Sequence, residues 1–334
     1  MDSYDVVTMG SATQDVFVKT NTELVTIRHA GEQEELLAFP LGTKILINET
    51  QSMIGGGGTN SATTFARQDL ATGFLGKVGD DPAGRAVLDF LLKERIAFLG
   101  DTGDQTGYSV ILDSQEDDRT ILTFKGCNDE LDKESIAHRL AMLETKWLYC
   151  SSMLKTSYAT MLAVMRTVKE RDGRVAFNPS TYQAKQGIGA LQAAFDHTDV
   201  LILNREEAGL LVGHQSTDVK ELLRVLGAAG PEIVIITDGE RGAWLYNHET
   251  FLAVRPAMTK PIVETTGAGD AFGSGFIAGL ARNLPVEKAL LLAMLNAEHV
   301  IAEYGAKNHI LTAEEADALL AADGREIVRE EPGS

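Results

Sequence analysis

From about residue 130 onward, short apolar or β-branched runs alternate with stretches of helical periodicity. The runs are "KWLYC" (146–150), "RVAFN" (174–178), "DVLILN" (199–204) and "EIVIIT" (232–237); the helical stretches cover 156–171, 186–196 and 217–229. Such alternation is the pattern of parallel strands joined by crossover helices. "YDVVTMG" near the start and "ATGFLGKVG" (71–79), the latter between expected helices at about 60–69 and 82–96, extend the same pattern. One α/β unit, a doubly wound and mostly parallel sheet flanked by helices, accommodates them all. Two regions break the rhythm. Residues 15–50 carry "DVFVK", "ELVTIR" and "KILIN", and in residues 107–125 "YSVILDS" and "RTILTFKG" flank the turn "QEDD". Both read as antiparallel hairpins. They are separated by a helix-bearing piece of the main sheet, so they predict a small β-sheet lid built from two insertions over the sheet's ligand edge. The expected division is 1–14, 51–106 and 126–325 for the α/β unit, 15–50 and 107–125 for the lid, and a frayed, charged tail over 326–334.

Composition narrows the partners. The chain has 334 residues, 44% of them hydrophobic, which is enough for one large α/β domain or two ordinary ones. A formal net charge of −18 argues against nucleic acid and against an anionic membrane surface. A small molecule is the default partner. Cys127 and Cys150 lie outside any CxxC or Cys/His cluster, so neither a disulfide framework nor a zinc site is suggested, and a reducing cytoplasm fits. The start "MDSYDVVTMG" is acidic where a signal peptide is basic, and no apolar run approaches the roughly 20 residues of a membrane span. A soluble, unprocessed protein is expected. The seven histidines are scattered without HxH or HExxH spacing and are assigned no metal.

The chemistry concentrates in glycine-rich turns that open helices. In "VETTGAGDAFGSGFIAGLAR" (263–282), glycines at 273, 275 and 279 fall inside the expected helix, each costing about 1 kcal/mol against alanine. Something is therefore expected to approach that helix closely. No GxxxxGK[ST] loop exists, and a dinucleotide fingerprint fails at Phe272. Gly267, Ala268 and Gly269 instead offer backbone N–H groups converging at a helix N-terminus, an anion hole where the helix dipole also favours negative charge. Asp270 beside it could accept a proton from an attacking hydroxyl while the hole stabilises a transferring phosphoryl group, and the dipole would hold it ionised. A plain helix cap is the alternative.

The second cluster, "SMIGGGGTNSATTFAR", places Gly56, Gly57 and Gly58 before Asn60, which offers a donor and an acceptor suited to neutral hydroxyls. A turn capped by Thr59 or Asn60 would have the same sequence. Asp15, just past the first strand, could accept paired hydroxyl donors from a sugar, although such a residue by itself is more often part of a turn. In "LILNREEAGLL", Asn204 and Glu207 have capping-box spacing and could also orient a hydrated magnesium ion; the two readings can coexist. In "VIITDGERGAWLYN", Asp238-Gly239 signals a hairpin, yet the loop ends a parallel strand, where ligands of open α/β sheets bind, so Gly239 and Gly242 could flank a nucleotide.

Together and in this order, "GGGGTN", "VGDDPAGRAVLDFL", "NREE" and "ETTGAGD" resemble the ribokinase-like (PfkB-type) carbohydrate kinase family over nearly the whole chain. The resemblance implies Asp270 as catalytic base, Gly267 to Gly269 as anion hole, and Asp15, Gly56 to Gly58 and Asn60 as sugar ligands. It places Asn178 and Asn204 near the phosphates, Thr237, Gly239, Gly242 and Asn296 around ATP, and Glu207 beside magnesium through water. Glu264 stands where the family signature usually begins with Asp; with Thr266 it marks the monovalent-cation position, so potassium activation is in question. Gly57 stands where ribokinases proper tend to carry lysine, so ribose is not assured. The reading is an ATP- and Mg2+-dependent kinase acting on a hydroxyl of a small neutral sugar. Its alternatives are a nucleoside kinase, with Phe17, Phe39 and Phe124 forming a slot for the base, and a non-catalytic sugar-binding protein on the same scaffold. An exposed lid edge would suit a homodimer.

Overall fold

The structure is a computed structural model that describes residues 3–19, 24–29, 32–37, 41–113, 119–213, 218–257 and 261–331. Its centre is a ten-stranded sheet. From one edge the strands run Ala97–Phe98, Thr72–Leu75, Ser3–Met9, Glu144–Ser151, Arg174–Asn178, Val200–Asn204, Ile233–Thr237, Ala243–Tyr246, Phe251–Val254 and Val328–Glu330. The first seven are mutually parallel and the last three antiparallel. All six apolar runs read as sheet strands from the sequence fall in the parallel part.

Successive side chains of a strand point to opposite faces, and here both faces are covered. Leu148, Cys150, Val175, Phe177, Leu201, Leu203, Val234 and Ile236 form one core with the helices Lys155–Lys169, Ile188–Phe195 and Val219–Ala228. Their strand neighbours Trp147, Tyr149, Ala176, Val200, Ile202, Ile233 and Ile235 form the other core, with Phe272 and Phe276 of the helix Ala268–Ala281 and Ala289, Leu290 and Ala293 of the helix Val286–Val300. Cys127 and Cys150 are both free and buried. Among the described residues no helix is long and apolar enough to cross a membrane.

A separate four-stranded sheet has the order Arg119–Phe124, Gly107–Asp113, Thr13–Lys19, Glu49–Gly55. The hairpin expected over 107–125 is present. The 15–50 region differs from its reading. "KILIN" (44–48) forms no strand, and Leu46 stands 87% exposed, so this apolar run has no sheet face to pack on. The strand begins only at Glu49. Leu24–His29 and Glu32–Leu37 pair with each other as a ribbon apart from the four-stranded sheet. Nor is the end of the chain wholly a frayed tail. Val328–Glu330 adds to the main sheet against Phe251–Val254, with the Arg325 guanidinium holding Glu298 at 2.6 Å.

Candidate active site

The turn 55–58 and the turn before helix 268–281 meet beside the strand end Ser151. Asn60, on the first turns of the helix Gly57–Arg67, donates from Nδ2 to Asp270 Oδ2 at 2.7 Å. Asp270 sits in the first turn of its own helix, whose N-cap is Gly267 with φ 82°. That left-handed conformation disfavours any residue with a Cβ, and a methyl there would also collide with Ala306. At Gly57 the constraint is approach: an added methyl would stand 3.3 Å from Asp270 Oδ1 and 3.1 Å from the Ser151 side chain. Among the described residues, buried Asn60 Oδ1 and Ser151 Oγ find no hydrogen-bond partner. Unpaired buried acceptors of this kind are costly, and here they border the carboxylate.

Asp15 enters from the smaller sheet. It shares a face with Phe17, whose ring meets Tyr304 edge-on, while Thr13 Oγ1 donates to its Oδ1 at 2.7 Å. Burial raises the Asp270 pKa above the ordinary carboxylate value; the Asn60 hydrogen bond and the charge of Lys307 oppose this, and Asp15 adds to it. The helix dipole alone was expected to favour the ion, and desolvation at the cleft floor works against it. Lys307 belongs to no motif. It is nonetheless 6% exposed and hydrogen-bonded to Ile54 O and Thr59 Oγ1 of the glycine turn, and nothing local in "YGAKNHI" singles it out.

A cavity of about 300 Å³ opens at the N-terminus of helix 268–281. Thr237, Gly239, Gly242, Ala268 and Gly269 line it with an apolar wall that includes Ile262, Phe272 and Met294. Five sequence-read residues are thus gathered into one space. Of the three anion-hole N–H groups, that of Ala268 donates to Thr265 O at 3.2 Å, which leaves Gly267 and Gly269 as the donors to weigh; at Gly269 the space where a side chain would begin is open.

Asn296 is not in this cavity. It is buried, with Nδ2 donating to Ala271 O at 2.9 Å and Oδ1 accepting from Leu311 N at 3.0 Å, so it joins helices and is not free to meet a nucleotide. Two of the helical glycines are likewise explained by packing: added methyls at Gly275 and Gly279 would stand 3.1 Å from Ala293 Cα and 2.7 Å from Ala289 Cα of the adjoining helix. Phe17 and Phe124 do not flank one slot. The register puts them on opposite faces of the smaller sheet, Phe17 buried and Phe124 52% exposed. Phe39 lies outside the described residues.

Asn204 and Glu207 form the reciprocal capping box, Asn204 Oδ1 accepting from Glu207 N at 2.8 Å and Glu207 Oε2 from Asn204 N at 3.1 Å. Glu207 Oε1 also accepts from Thr181 Oγ1 at 3.2 Å, and burial raises its pKa. Asn178, ending its strand, donates to the Tyr149 hydroxyl at 3.3 Å. Glu264 is buried, and its Oε1 accepts from both N and Oγ1 of Thr266, at 2.9 and 2.6 Å.

The ends of the parallel strands thus carry a helix N-terminus, a carboxylate and a facing glycine turn in one cleft. Comparison with known proteins identifies the family. The profile of the pfkB family carbohydrate kinases matches residues 22–313, and the chain belongs to that family. It is 27% identical over 285 residues to a ribokinase of Bacillus subtilis, covering 84% of this chain and 92% of that one. It is 26% identical over 294 residues to a cytidine kinase of Thermococcus kodakarensis, covering 85% and 97%. The ribokinase structure from Giardia lamblia superposes with a TM-score of 0.82 at 20% identity, covering 96% and 99%. The protein is accordingly a phosphotransferase acting on a hydroxyl group, with the ribokinase fold.

Proposed function

We propose that the protein transfers the γ-phosphoryl group of ATP to a hydroxyl of a small neutral sugar, with Asp270 as the base. The observation that carries this is the 2.7 Å contact of Asn60 with Asp270 above the side-chain-free Gly57. It sets a hydroxyl-binding amide and a proton acceptor on one small space. Asn60 and Asp15 would hold acceptor hydroxyls, and Asp270 would receive the proton of the attacking one. That oxygen forms the new bond to phosphorus as the bond to the bridging β-phosphate oxygen breaks and ADP leaves. Positioning and charge stabilisation carry most of such a transfer, so the N–H groups at the head of helix 268–281 matter as much as the base. The apolar cavity beside Thr237, Gly239 and Gly242 suits a planar base.

Magnesium, when bound with ATP, would neutralise phosphate charge. Glu207 fits a role in orienting its waters, since its oxygens accept neutral donors and keep lone pairs free. The smaller sheet, carrying Asp15, would act as a lid that excludes water.

The carboxylates Asp15 and Asp270 disfavour an anionic acceptor. Assaying ADP release with ATP and magnesium over pentoses, hexoses, sugar acids, sugar phosphates and nucleosides should give the highest kcat/KM for a neutral sugar. A tenfold preference for a sugar phosphate or a nucleoside would refute this choice of acceptor. With Glu264 already bonded to Thr266, potassium should matter little. Rates in potassium and in a bulky organic cation at equal ionic strength should agree within about threefold, roughly 0.7 kcal/mol in barrier. A larger potassium requirement would contradict the assignment.

A further inference from the structure

Lys307 lies in the segment between helices 286–300 and 313–322, with its ammonium under the acceptor turn. Nζ donates to Ile54 O at 2.7 Å and to Thr59 Oγ1 at 2.9 Å, and Thr59 Oγ1 in turn donates to Gly55 O at 2.7 Å. The Phe90 ring lies 5.1 Å away on the other side. The charged groups facing it are Asp15 from the smaller sheet, Asp270 from helix 268–281, and Glu94 and Arg67, which pair with each other at 2.8 Å. The same segment docks the smaller sheet, with Tyr304 against Phe17 and Gly305 against Met53.

Burying an ammonium is costly, and a methionine would fill this space without that cost. The charge therefore has something to balance. The charge of Asp15 works against ionisation of Asp270, and an acceptor bound between them would expel water and strengthen that effect.

We propose that Lys307 is a positioning residue for the transfer: its buried ammonium fixes the turn 55–59 and supports the negative charge of Asp270 at the acceptor site. This rests on the kinase reading above. Burial pulls Lys307 down to about 7 against the pull of Asp15, Asp270 and Glu94, so its charge is full only below neutrality, is partly lost near pH 7 and disappears as pH rises further.

The test compares wild type with Lys307→Met in kcat and KM across pH. Lys307→Met should lose about tenfold in kcat with little change in KM for ATP. Its acid limb should move up by about one unit as Asp270 becomes harder to ionise, and it should lack the wild type's alkaline decline. A folded Lys307→Met whose profile superimposes on wild type overturns the proposal. Should that variant not fold, lysine Nζ resonances decide: the one titrating far below the others should titrate lower still in Asp270→Asn, because the two charges are linked. An unchanged titration overturns the proposal. The resonance reports whether or not any acceptor is turned over, whereas wild-type inactivity with every acceptor would count against the kinase reading.

Discussion

Asp270→Asn is expected to lower kcat by about 10² to 10⁴, the range for losing a general base, while leaving ATP affinity nearly unchanged. Asparagine preserves the size of the side chain, and its amide oxygen can still accept from Asn60, so the fold should survive. In wild type the base works only when ionised. Because burial raises the Asp270 pKa, kcat should fall with falling pH at a higher pH than an ordinary carboxylate would give. That acid limb should be absent from the residual activity of Asp270→Asn. Wild-type kcat in the variant would reduce Asp270 to a structural partner of Asn60.

Gly267→Ala is expected to damage both stability and turnover. Alanine in the left-handed conformation costs about 1–2 kcal/mol, and its methyl would meet Ala306 on a segment that also carries Lys307. Overpacking of this kind typically adds about 1–3 kcal/mol. A shift of the helix's first turn to relieve the clash would move Asp270 and the Gly269 N–H together, and a shift of the Ala306 segment would move Lys307. A melting temperature lowered by several degrees and a fall in kcat/KM for ATP of about tenfold or more should result. By contrast, Gly269→Ala meets open space in the absence of nucleotide, so its melting temperature should stay near wild type. Equal stability for both variants would refute the strain argument.

Much of this was legible in the sequence because the signals were local and repeated. Runs such as "DVLILN" and "EIVIIT" are buried on both faces, and the turn at Asp238-Gly239 both closes a hairpin and borders the cavity. What was not legible depended on partners distant in the chain. "KILIN" has strand composition but pairs with no strand among the described residues. Val328–Glu330 is too short to show alternation, and its pairing with Phe251–Val254 makes it a strand. Glycines 275 and 279 have the same requirement, no Cβ, whether a helix or a ligand approaches, and here a helix does. The family resemblance puts Asn296 around ATP, and only the fold reveals that Ala271 and Leu311 occupy its amide. Lys307 carries no local signal, since its partners Ile54, Thr59, Asp15 and Asp270 come from distant segments.

The most direct measurement follows the fate of the phosphoryl group. Wild type and Asp270→Asn would each be incubated with magnesium, the best acceptor of the panel, and ATP labelled in its γ-phosphate. The account predicts that wild type places the label in the acceptor, one label per ADP formed, and that Asp270→Asn binds ATP but transfers at least a hundredfold more slowly. Label recovered only as inorganic phosphate, or transfer undiminished in Asp270→Asn, would contradict it.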